Sequence, residues 1–121
     1  MKTMINPEKF YSSKEGQADL GEIYRRTAIF LDNHLPAIEK GTLEVLGALQ
    51  RNDLRTLIEK SNFTDPPILH SLELSEIEEL KKYIEESESQ KGYTVNIPIL
   101  VSALVKLRNT LKERLEGEKK Y

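Results

Sequence analysis

The stretch that most constrains this chain runs from Asn96 to Gly117. Leu100, Leu104, Leu107, Leu111 and Leu115 recur there at steps of four and three. On a helix that spacing gathers them into one stripe roughly 80° wide. Asn96 is placed to accept a free N–H of the first turn. Pro98 follows where its missing N–H costs nothing, and Gly117 can close the far end in a left-handed conformation. Ahead of Lys106 the segment is apolar on nearly every side, because Ile97, Ile99, Val101, Ala103 and Val105 join Leu100 and Leu104. Beyond it, Lys106, Asn109, Lys112, Glu113 and Glu116 make a wet side. The expectation is a helix enclosed by its neighbours over its first half and lying along the surface over its second.

A core built around such a helix fits one domain of 121 residues. A chain of this length can bury roughly 65% of its unfolded surface without a staple. With 18 Lys and Arg against 20 Asp and Glu, the formal net charge is −2, which gives no global field toward nucleic acid or membrane. The chain has no Cys, which excludes disulfides, thiolate metal sites and cysteine nucleophiles. The N-terminus lacks the apolar core of a signal peptide, and no apolar run is long enough to span a membrane. These features lead to an expectation of a cytoplasmic protein.

Residues 1–16 read as an N-terminal arm, anchored by Phe10 and Tyr11, and 17–121 as a single helical domain. The first long helix is expected over 17–35, with Leu20, Ile23, Tyr24, Thr27, Leu31 and Leu35 inward. Ile29 points the other way, among Glu22, Arg25, Arg26 and Asn33. Pro36 leaves two readings: a kinked helix that stops at Gly41, or a fresh helix from Pro36 to about Gln50. Val45, Leu46 and Leu49 are expected to face the core, beside a Gly47 that allows close approach. Asn52 is positioned to cap a helix over 53–60. Pro66-Pro67 opens a short helical piece burying Ile68, Leu69 and Leu72. Ser75 and Glu78 have capping-box spacing ahead of a helix to about Ser87, with Leu74, Ile77, Leu80 and Ile84 as its stripe. Tyr93-Thr94-Val95 is β-prone but too short and solitary for a sheet. The fold class expected is all-α: a compact, mostly antiparallel bundle of five or six helices around the C-terminal one.

Chemistry is hard to find in this sequence. Asp32-x-His34 and His70-x-x-Glu73 each offer two metal ligands at most, and a site needs three or four. There is no Gly-rich phosphate loop, nucleophile elbow or His-Glu-x-x-His. The carboxylates fall on wet faces, where general acid–base work finds no perturbed group. The expectation is therefore neither an enzyme nor a cofactor binder. Residues 53–73 have helix–turn–helix rhythm, but the second element would show Asp65, His70, Ser71 and Glu73 to phosphates.

What remains is a non-catalytic binding module, a small adaptor or accessory subunit that docks a protein partner. Its candidate contacts are Ile29, Arg25, Arg26, Ile99 and Val105. The alternative is a nucleic-acid-binding accessory domain, carried by Arg51, Arg55 and Lys60 with Lys106, Lys112 and Arg114.

Overall fold

The computed structural model describes residues 14–43, 46–64, 66–89 and 92–119, the side chains of 14–19 and 117–119 excepted. Within them the chain forms four α-helices and no strand: α1 (Lys14–Glu39), α2 (Ala48–Glu59), α3 (Leu74–Ser89) and α4 (Ile97–Lys119). A single 3-10 turn, Ser61–Phe63, follows α2. The expected arm lies outside the described residues except for 14–16, which already open α1. Phe10, Tyr11 and Val45 lie outside them as well.

The helix expected over 17–35 continues through Pro36 to Glu39. Proline removes one N–H from the last turn, but Leu35 and Ile38 on either side are each 1% exposed, and their burial holds the turn helical. The end is a Schellman motif. The Gly41 N–H donates to the Ile38 carbonyl and the Thr42 N–H to the Ala37 carbonyl, both at 2.9 Å. Gly41 sits at φ 89°, the left-handed conformation the motif requires. Of the two readings at Pro36, the kinked helix stopping at Gly41 is the one found.

The next helix does not start at Asn52. It starts at Ala48 with Gly47 as its N-cap, so Gly47 is a boundary rather than an interior residue. This shift turns Leu49 outward, against expectation, while Leu46, Leu54 and Leu57 stay buried. No helix forms after Pro66-Pro67. The segment makes successive turns, His70 N–H to Pro67 carbonyl and Leu72 N–H to Leu69 carbonyl. Pro67 disfavours the helical region at Pro66, the residue before it, and the few residues that follow make turns only. Ile68 and Leu72 are buried all the same. Losing this piece, and the separate helix after Pro36, leaves four helices among the described residues, against five or six expected.

α3 begins at Leu74, and its capping carboxylate is Glu76 rather than Glu78. Glu76 Oε1 accepts the Glu73 N–H at 2.8 Å, the side-chain half of a capping box. Leu74 is 74% exposed, because the first residue of the helix lies beyond the edge of the core.

α4 packs on both α1 and α3, and α2 packs on α1 and α3. Asn96 caps α4 as expected, its Oδ1 accepting the Ile99 N–H at 3.2 Å. The leucine stripe is buried from Leu100 through Leu111. The first half of α4 is not enclosed all round, however. Ile97, Ile99, Val101 and Val105 are half-buried, since α1 and α3 cover one side and leave the flanks at the edge of the core. At its other end α4 runs through Gly117 rather than stopping there.

Candidate functional site

On α1, Arg26 lies on the flank that meets α2. Its Nε donates to Asp53 Oδ2 at 3.0 Å and its Nη2 to Asp53 Oδ1 at 2.8 Å, a bidentate pair joining the two helices. Asp53 is 6% exposed although it is charged. One turn beyond Arg26, the Phe30 ring lies 4.4 Å from that of His34. Arg26, Thr27 and Phe30 from α1 meet Leu49, Gln50, Asp53 and Leu54 from α2 around a hollow of about 20 Å³, room for a single water molecule. Thr27 is 3% exposed and its hydroxyl has no hydrogen-bond partner in the protein.

Ile29 is 57% exposed and Leu49 is 52% exposed. Ile29 follows Arg25 and Arg26 by one helical turn and is next to Phe30, while Leu49 shares the hollow with Phe30. Leu49 and the half-buried Phe30 ring therefore sit at the hollow of this α1–α2 face beside Arg26, which is held by Asp53, while Ile29 and Arg25, the latter paired with Glu22, lie on α1 outside its lining.

The other partner-docking candidates are not part of this face as the hollow defines it. Ile99 and Val105 are half-buried on α4, and Val105 packs against the core. Among the nucleic-acid candidates, every cation is engaged within the chain. Arg51 donates to the Leu46 carbonyl at 2.8 Å, and Arg55 pairs with Glu88. Lys60 lies 5.7 Å from the centre of the Phe63 ring. Lys106 donates to Glu76 at 2.8 Å, Lys112 pairs with Asp32 at 2.9 Å, and Arg114 donates to the Pro66 carbonyl. The helix–turn–helix rhythm of 53–73 has no second helix to carry it.

The glutamates of α3 hold the chain together. Glu76 accepts from the Glu73 N–H, Ser102 Oγ and Lys106 Nζ. Burial opposes its ionisation, but the Glu73 N–H, Lys106 and Ser102 together outweigh that cost and hold its carboxyl below the ordinary value. Glu79 accepts the Asn96 N–H at 2.9 Å, fixing the residue that caps α4. Glu86 takes the Thr94 N–H on both oxygens and the Thr94 hydroxyl on one, and these bonds from Thr94 lower its pKa.

His34 is half-buried against Phe30, and His70 is exposed with Nδ1 2.9 Å from the Pro67 carbonyl. Among the described residues no three His, Asp or Glu side chains converge as a metal site would require. No helix among them is long and apolar enough to cross a membrane.

Leu49 and Asp53 escaped the sequence reading because the start of α2 was misplaced. Glu76 and Asp53 overturn the expectation that the carboxylates fall on wet faces: both are buried, and Glu76 has its pKa lowered. For Glu76 the signal in the sequence is its helical spacing from Leu80, Ile84 and Ser87. No protein-family model matches the chain, and no curated protein or solved structure is detectably similar to it.

Proposed function

We propose that this chain is a non-catalytic helical binding module, a cytoplasmic adaptor or accessory subunit that docks a protein partner through its α1–α2 face. The scaffold in this reading is a mostly antiparallel bundle built around α4. The observation that carries it is the exposure of Leu49 beside Phe30 at the Thr27 hollow and of Ile29 on the same helix as Phe30. Aliphatic and aromatic side chains beside arginines are the composition that docking surfaces favour. Because Arg26 is held rigidly by Asp53, little side-chain entropy is lost when a partner covers it.

The carboxylates support the non-catalytic half of the reading. Glu76, Glu79, Glu86 and Asp53 are committed to caps and inter-helix contacts. The nucleic-acid alternative has weaker support, because each of its candidate cations is already engaged.

The reading is tested by affinity capture with wild type, the Ile29→Glu/Leu49→Glu double variant and a Leu74→Glu control. Both variants carry their changes at exposed positions, so the fold should persist. The expected result is a protein retained by wild type and by the Leu74 variant and lost from the double variant. Equal retention by all three contradicts it.

A further inference from the structure

A second feature lies between α2 and α3, on lining residues that the α1–α2 hollow does not share. Arg55, Ile58 and Glu59 face Lys81, Ile84 and Glu85 across an open groove of about 380 Å³. The two walls repeat one pattern: a cation, then isoleucine three residues later, then glutamate. Residues three and four apart lie on the same helix face, so each helix carries an isoleucine between opposite charges. Ile84 is 2% exposed and backs the floor from beneath, so Ile58, half-buried, is the aliphatic surface the groove presents.

The charges on this groove are not balanced. Arg55 is paired with Glu88. Among the described residues the side chains of Glu59, Lys81 and Glu85 make no ion pair or hydrogen bond. Two free carboxylates therefore face one free ammonium. We infer that the α2–α3 groove is a seat for a basic amphipathic helix of a protein partner, with aliphatic side chains on Ile58, backed by Ile84, and lysine or arginine toward Glu59 and Glu85. Its size suits an inserted side chain or two. This site is separate from the α1–α2 face and stands or falls without it.

Fluorescence anisotropy tests it with a labelled helix of about four turns made only of leucine and lysine. Matched probes replace lysine with glutamate or leucine with serine. The leucine–lysine helix should bind, and the other two should not. Glu59→Lys/Glu85→Lys should weaken binding roughly tenfold or more, and Lys81→Glu should tighten it. Glu39→Lys/Glu113→Lys, which changes net charge equally at exposed positions away from the groove, should have a much smaller effect, and Ile29→Glu/Leu49→Glu should have none. The inference is overturned if the leucine–lysine helix fails to bind. It is also overturned if the glutamate or serine probe binds as well, or if both lysine-introducing pairs weaken binding equally.

Discussion

Glu76 is one turn ahead of Leu80 on the stripe that α3 turns inward, and it is 4% exposed. A carboxylate there is tolerable only because the Glu73 N–H, Ser102 and Lys106 meet it. Since these contacts lower its folded pKa, their contribution is complete above the ordinary value of 4.5 and is lost as the pH falls through the folded value. Glu76→Gln should therefore cost about 1–3 kcal/mol at neutral pH. Denaturant melts at several pH values should show that gap closing once the pH drops below 4.5. Glu86 shifts in the same direction, so the acid limb should persist in part in the variant. Gly41 offers a second check on single residues. Its φ of 89° is a conformation that side chains resist, and no neighbouring atom lies within 4 Å of an added Cβ. Gly41→Ala should thus cost about 1 kcal/mol through backbone strain alone, read as a shift in the denaturant midpoint at unchanged slope. Sequence made the Gly41 stop readable, because a helix C-terminus asks for glycine. The Arg26–Asp53 pair was not readable, because nothing local tells an arginine which aspartate, 27 residues away, will meet it.

Among the helices, periodicity located α4 and its buried leucines well, because a repeat of three and four survives any choice of neighbours. It overstated the burial of Ile97, Ile99, Val101 and Val105. Apolar composition says that a face can be buried, whereas the number of helices packed against it decides whether it is. Start signals misled in two places: Asn52 resembles a cap yet lies inside α2, and Ser75 lies inside α3, where Glu76 does the capping. α2 starts five residues ahead of the expected helix, which puts Leu49 in its first, exposed turn and Asp53 one turn further in, where it is buried. The contrast between leucines gives a test at this level. Leu104, 1% exposed between helices, should lose about 2–5 kcal/mol on replacement by alanine. Leu74→Ala, at a position 74% exposed, should change stability by less than about 0.5 kcal/mol. Comparable losses at both positions, measured by urea denaturation, would contradict the packing described.

For the molecule as a whole, the polar side chains are largely occupied with holding helices together, and apolar side chains remain uncovered where α1 meets α2. Arg26–Asp53 ties α1 to α2, Asp32 reaches Lys112 of α4, Arg55–Glu88 ties α2 to α3, and Glu76 ties α3 to α4. Charges closed on one another hold the helices in place, whereas free ones would form an electrostatic patch. That distinction could not be drawn from composition, since the same lysines and glutamates would serve a free electrostatic patch equally well. The most direct measurement places a photo-crosslinking amino acid at position 49, with position 74, which is more exposed still, as the comparison, in cells that express the protein. The account predicts a discrete protein adduct from position 49, absent from position 74 and abolished by Ile29→Glu. Adducts of equal pattern from both positions, or none from position 49, would contradict it.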